Sequence, residues 1–257
     1  MLLEWVRYWV FVMLVLISSF TAKAEELTVA VASNFYAAAQ KVATDFSAKT
    51  GIKVRLSSGA SGVLYAQIIR GAPFDVFLSA DALRPKELFQ RGLAWSYGTY
   101  TQGQLALWVP QQSEPITSDF LRTYSDRLAV ANPKLAPYGA ATLQTLEVLQ
   151  LKNVFKRRLI KGNNANQVFQ FIESGNLSAG FVPKSLLILA QQQCNECSEL
   201  TRYQRYWLVP ESMHAPILQS YALIKHTEHA DKFVKYLLSA PVQAYLTTIG
   251  YASIPQK

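Results

Sequence analysis

The sequence predicts an α/β protein of two lobes, each a mostly parallel sheet flanked by helices, with a ligand cleft between them. Three observations predict it. Near-continuous apolar runs such as Leu27-Thr28-Val29-Ala30-Val31-Ala32 are the mark of strands buried on both faces of a parallel sheet. These runs alternate with helical periods over residues 27–79, giving a β-α-β-α-β order with helices on both faces. The alternation then restarts after Pro110 and ends in a late strand–helix tail, which suits a chain that leaves one lobe, builds a second and returns. The expected bounds are 25–104 for the first part of lobe 1, 105–220 for lobe 2 and 221–257 for the return.

Residues 1–24 read as a secretory signal peptide. Arg7 lies before an apolar run from Trp9 to Phe20, and Ala22-Lys23-Ala24 has the small-x-small form of a cleavage site. The run is short for a bilayer span, which favours cleavage over a retained anchor, and no cysteine follows it to carry a lipid. Removing Glu4, Arg7 and Lys23 leaves 23 basic and 16 acidic residues, a net charge of +7. Apart from Lys156-Arg157-Arg158 the basic residues are scattered, without the clustered basic and aromatic footprint of a nucleic-acid surface. The charge favours anions. Half of the chain is apolar and 12% aromatic, which excludes a disordered class.

In the first unit, Ser33-Asn34 follows the first strand, and a helix then runs to about Lys49. Ala38, Val42 and Phe46 share its buried face, and Thr50-Gly51 stops it. Strand Ile52–Leu56, loop Ser57–Gly62, helix Val63–Arg70, the break Gly71-Ala72-Pro73 and strand Phe74–Ser79 come next. Asp81–Gly92 reads as a surface helix with Pro85 in its first turn, and Gln104–Val109 as a strand ended by Pro110. The second unit runs through strand Arg127–Ala131, loop Asn132–Gly139, helix Ala140–Leu151 and the strand end Leu159-Ile160. Gly162–Asn166 then leads into a helix on Val168, Phe171 and Ile172, and Ala179–Val182 is a strand. Tyr206–Pro210 and Gln219–Ile224 are further strands, followed by a helix over Glu228–Leu238 and another after Pro241.

The loop Ser57-Ser58-Gly59-Ala60-Ser61-Gly62 joins a strand to a helix start. The first N–H groups of a helix lack partners inside it, glycines allow close backbone approach, and serine hydroxyls add donors. Together they make a seat for an anion. No Lys or Arg lies inside the loop, so the donors are neutral. Taken alone, the loop also fits a plain serine N-cap. It is neither a Walker loop, which needs Gly-Lys-Ser/Thr, nor a nucleophile elbow, since the glycine two residues after Ser61 is missing. In open parallel sheets ligands sit beyond the carboxyl ends of strands, where Asn34 and Ser61 both fall.

Other chemistry-bearing residues carry less. Cys194 and Cys197 form C-x-x-C in the polar loop Gln191–Ser198, which suits a small-loop disulfide in an exported chain. A redox motif would start a helix beside a strand, and zinc would need two more ligands. Asp75 and Asp81 read as turn and cap residues, and Met213 and His214 as surface residues beside a lobe crossing. His226 and His229 sit at an exposed helix start rather than in a metal site.

Several stretches, in order and spacing, resemble the periplasmic molybdate-binding proteins of ABC transporters. They are Val31-Ala32-Ser33-Asn34-Phe35, the loop 57–62, and Gly71-Ala72-Pro73-Phe74-Asp75-Val76-Phe77-Leu78-Ser79-Ala80-Asp81. Later come Ala136-Pro137-Tyr138-Gly139, Gly175-Asn176 with Gly180-Phe181-Val182, and Trp207-Leu208-Val209-Pro210. The resemblance covers nearly all of the mature chain. It implies the type II periplasmic binding protein fold and a periplasmic, monomeric, non-catalytic receptor. Such a receptor captures molybdate and tungstate, delivers them to an ABC permease and needs no cofactor. By position it implies Ser33 and Asn34 in the first turn, Ser61 in the second, Tyr138 in the second lobe, and a backbone donor at Asn164 and Ala165. Many relatives carry Ser where Asn34 stands. Others place their tyrosine where this chain has Pro183, so here Tyr138 supplies the phenol.

Molybdate, tungstate and sulfate are fully deprotonated near neutral pH and suit a site of donors alone. Hydrogen phosphate also needs an acceptor, and the candidate residues include no carboxylate. The competing readings are a binding protein for another tetrahedral oxyanion such as sulfate, a periplasmic lyase or dehydratase on the same fold, and a sensor domain that has lost its ligand. An enzyme would need an acid or base in the cleft, for which Asp75 and Asp81 are the nearby candidates. Retention of Asn34, Ser61 and Tyr138 opposes the sensor.

Overall fold

The computed structural model describes residues 26–194 and 200–254. The expected signal peptide at 1–24 and Cys197 lie outside the described residues. The first of two five-stranded sheets is built from β1 (Glu26–Ala32), β2 (Lys53–Gly59), β3 (Val76–Ser79), β4 (Ser96–Gly103) and the late strand β10 (Ile217–Leu223), in spatial order β2-β1-β3-β10-β4. The second takes β5 (Leu105–Trp108), β6 (Leu128–Ala131), β7 (Leu159–Gly162), β8 (Ala179–Pro183) and β9 (Tyr206–Leu208), in order β7-β6-β8-β5-β9. Every strand but one in each sheet points the same way. The reversed strand is β10 in the first sheet and β5 in the second, each antiparallel to both of its neighbours. Each is the first strand laid down after the chain crosses from the other sheet.

Both faces of each sheet are covered, which explains the unbroken apolar runs. In β1, Val29 and Val31 pack with Val42 and Phe46 of α1 (Tyr36–Thr50). Ala30 faces the other way, toward Leu64 and Ile68 of α2 (Ser61–Ile69) and Leu88 of α3 (Leu83–Gln90). Gly51 closes α1 in the left-handed region, at φ 75°, which glycine adopts without a Cβ penalty. In the second lobe the short helix α4 (Phe120–Thr123) precedes β6. Leu105 and Leu107 pack with Ala141 and Leu146 of α5 (Pro137–Val148), which the short α6 (Lys152–Phe155) follows. Ala106 and Trp108 face Val168 and Ile172 of α7 (Ala165–Glu173). Helix α8 (Lys184–Gln193) follows β8, and α9 (Glu228–Leu237) and α10 (Ala240–Thr248) return to the first lobe, where Phe233 and Leu246 join its core.

The short helices α4 and α6 are not predicted by the sequence, only Ala60 of the expected loop 57–62 lies outside β2 and α2, and four further elements differ from expectation. β4 went unassigned because Ser96-Tyr97-Gly98-Thr99-Tyr100-Thr101-Gln102-Gly103 has no apolar alternation; its pairing with β10 along nearly its whole length makes it a strand. Residues 184–193 form α8, although Gln191–Gln193 read as loop. Helix α5 begins at Pro137, a residue preset for the first helical position, so Tyr138 lies in its first turn rather than in a loop. Strand β10 begins at Ile217, so residues 217–220, expected in the second lobe, are hydrogen-bonded in the first sheet. Ile217 still packs its side chain into the second lobe's apolar cluster, so its position serves both lobes.

Candidate functional site

Ser33, Asn34, Ser61, Tyr138 and Ala165 meet in one cavity between the lobes, at the carboxyl ends of β1, β2, β6 and β7. Strand register brings them together. Ala32 pairs with Gly59, which sets the turn after β1 beside the loop after β2. Ala131 pairs with Gly162, which does the same for the turns carrying Tyr138 and Ala165. Four helical segments start at this point: a 3-10 turn over Ser33–Phe35, then α2, α5 and α7. Their first N–H groups have no partner within their own helices and carry the positive end of the dipole.

The first turn of α5 is seated tightly. A Cβ on Gly139 would collide with the Ala131 carbonyl, so the absence of a side chain there lets the helix start lie directly on the end of β6. The lobes meet over the cavity. The Gly62 N–H donates to the Leu135 carbonyl at 3.0 Å, and a Cβ on Gly62 would stand 3.2 Å from Leu135 Cα. Beside this contact the Arg84 guanidinium, paired with Asp81, donates to the Lys134 carbonyl at 3.3 Å. The enclosed space is ≈ 10 Å³, about the room that one water-sized group needs.

No charged side chain lines the cavity. Ser61 is 1% exposed, and its Oγ accepts the Ala80 N–H at 3.0 Å, which leaves the hydroxyl proton to turn inward. Asn34 Nδ2 donates to Gln219 Oε1 at 3.1 Å, and its carbonyl accepts the Tyr251 hydroxyl at 3.1 Å. The Tyr138 oxygen accepts from Gln219 Nε2 at 3.3 Å. Burial pushes the Tyr138 phenol well above the ordinary tyrosine range, so it remains a neutral donor. The set can hold an anion by hydrogen bonds without neutralising it.

Asn164 is not among the lining residues. Its side chain caps α7, accepting the Gln167 N–H at 2.9 Å, while Gln167 Oε1 reaches back to the Asn163 N–H at 2.6 Å. What this turn brings to the cavity is the helix start at Ala165. Gln219, fully buried behind the lining residues, is not singled out by the sequence; the available signal is an amide beside Ser220 inside a mostly apolar strand.

The acid–base candidates named from the sequence are engaged elsewhere. Asp75 precedes β3, at the opposite end of the sheet from the cavity, and accepts the Thr28 N–H at 2.6 Å and hydroxyl at 2.7 Å, with Lys225 at 2.8 Å. Asp81 accepts the Arg84 N–H at 2.8 Å and pairs with its guanidinium, as a cap does. His214 is 8% exposed rather than on the surface. It lines a separate cavity of ≈ 130 Å³ with Gly103, Leu105, Leu208 and Glu211. His226 packs on Trp95 and pairs with Asp231 at 3.0 Å. Among the described residues no cluster of three His, Cys, Asp or Glu is placed to hold a metal. Cys194 lies at the end of α8.

A family model described as bacterial extracellular solute-binding protein matches residues 27–252. The chain belongs to that family. As a solute-binding protein it is 36% identical over 241 residues to the molybdate-binding protein ModA of Rhodobacter capsulatus, a match covering 90% of each chain. Its structure superposes on the periplasmic molybdate-binding protein of Azotobacter vinelandii with a TM-score of 0.80 at 32% identity, covering 90% of this chain and 100% of that one. The sulfate-binding protein SubI of Mycobacterium tuberculosis shares the fold at a TM-score of 0.71 and 12% identity. The solute-binding fold therefore does not by itself name the solute, and the lining residues must.

Proposed function

We propose that this chain is a periplasmic, non-catalytic receptor that captures molybdate, and tungstate with it, and delivers the anion to an ABC permease. One observation carries the reading. Helix starts, two serines, an amide and a neutral phenol converge on a cavity lined by no charged side chain. That arrangement favours an anion with no proton of its own to place, and disfavours hydrogen phosphate. The likeness to molybdate-binding relatives across 90% of the chain supports molybdate over sulfate. Ser33, Asn34, Ser61 and Tyr138 act as donors, joined by the backbone at Ala165. The receptor works as a monomer, and residues 1–24 are removed on export. Nothing in the donor set performs acid–base chemistry, because the carboxylates nearest in sequence are tied to Thr28, Lys225 and Arg84.

Calorimetric titration of the mature protein with molybdate, tungstate, sulfate and phosphate tests the reading. Tight one-to-one binding of the first two, with neglect of the others, is the expected result. Preference for sulfate would reassign the receptor, and silence toward all four from folded protein would end the oxyanion reading.

A further inference from the structure

The buried amide of Gln219 links donors of both lobes. It lies on β10 opposite a bulge in β4, where Gln219 pairs with Thr101 and Ser220 with Thr99, leaving Tyr100 as the extra residue. Such a bulge re-aims the side chain of its extra residue, here Tyr100, whose hydroxyl meets Gln219. The Gln219 side chain lies behind the cavity, between Asn34 of the first lobe and Tyr138 of the second, both of which line it. Gln219 Oε1 receives two donors, Asn34 Nδ2 at 3.1 Å and the Tyr100 hydroxyl at 3.2 Å. Those donors set the sense of the amide, so Nε2 points at the Tyr138 oxygen at 3.3 Å. A phenol has one proton to give, and its oxygen also accepts. With its acceptor face filled by Gln219, the Tyr138 hydroxyl directs its own proton away from the amide, toward the cavity. Packing keeps the phenol in this position: its hydroxyl occupies the space that a Cβ on Gly103 would need.

We propose that Gln219 is the positioning residue of the oxyanion site, an amide held in one sense by Tyr100 and Asn34 that turns the Tyr138 proton toward the anion. The proposal rests on the oxyanion reading above and adds to it a residue that need not touch the ligand. It makes the site depend on donor and acceptor order, beyond shape.

The test is Gln219→Glu. An ionised carboxylate only accepts, so it would draw the Tyr138 proton to itself and set a negative charge behind the donors. A protonated carboxyl has one acceptor and one donor and restores the order of the amide; burial raises the pH at which it forms. Molybdate binding is titrated for wild type, Gln219→Glu and Gln219→Met between about pH 8 and pH 5.5, the range over which a buried glutamate takes up its proton. Folding is checked by circular dichroism. The wild type sets the baseline for any change in the ligand. Gln219→Glu is expected to bind roughly 100-fold more weakly at the upper pH and to recover most of that loss at the lower, because its charge is then removed. Gln219→Met stays weak at both. If Gln219→Glu does not fold, the pair Gln219→Met and Tyr138→Phe decides: the double variant is expected to lose less than the sum of the single losses.

Gln219→Glu binding like wild type at the upper pH, equal weakness across the range in a folded variant, or strict additivity in the pair overturns the proposal. A wild type that binds no oxyanion overturns the receptor reading itself, and this inference with it.

Discussion

Replacing Ser61 with alanine separates the structural work of its hydroxyl from the binding work. Ser61 Oγ accepts the Ala80 N–H at 3.0 Å in a place that water does not reach. Without it that N–H is orphaned, at a cost of about 1–3 kcal/mol. The loss is present with the cavity empty or filled, so it lowers the melting temperature by several degrees and cancels from the affinity. The other half of the hydroxyl is its inward proton. A hydrogen bond to a charged partner contributes about 1.5–3 kcal/mol, so the dissociation constant for molybdate is expected to rise roughly 10- to 150-fold. Calorimetry at fixed pH and salt gives the affinity, and a melt without ligand gives the stability. A lower melting temperature with an affinity within about twofold of wild type would refute the argument, because the hydroxyl would then serve Ala80 alone.

Two further substitutions probe residues outside the cavity. Burial opposes the charge of Asp75, but its bonds to Lys225 and Thr28 outweigh that and hold its carboxyl below the usual range. Its stabilisation is therefore fully present above the unfolded pKa, about 4, and is lost as pH falls through the lower folded value. Asp75→Asn is expected to cost about 1–3 kcal/mol at neutral pH and to flatten the acid limb of stability in melts taken from neutral to acid; parallel limbs would contradict this. Asn164→Ala removes the cap of α7 and should cost about 1 kcal/mol while leaving oxyanion affinity within about threefold, because the side chain faces its own helix. A large affinity loss on calorimetry would instead make Asn164 a ligand.

Much of this was legible in the chain because the relevant physics is local. Runs such as 27–32 and 128–131 have to be doubly buried strands, and the small residues Gly59 to Gly62 mark a strand-to-helix junction, although strand and helix close in until only Ala60 separates them. Ser61 and Asn34 followed from where strands end. What stayed hidden depends on distant residues. β4 is polar and becomes a strand through its pairing with β10, itself more than a hundred residues later. His214 reads as a polar residue in a loop, and only its place beside Leu105 and Leu208, one distant and one unremarkable in sequence, makes it interior. Gln219 looks like a solvent-facing interruption of an apolar strand. Its role depends on Tyr100, Asn34 and Tyr138, which no spacing rule connects.

Between Gly103, which ends β4, and Leu105, which opens β5, stands Gln104 alone. Gln104 is tethered to the second lobe, its backbone oxygen accepting the Lys184 N–H and its side chain the Lys184 ammonium, each at 3.0 Å. Gly103, paired with Ile217 in the first sheet, is the residue against which Tyr138 rests its hydroxyl. The last residue before the crossing and the phenol donor are thus in contact. A change in the angle between the lobes at this crossing would therefore reach the phenol directly, without passing through any other side chain.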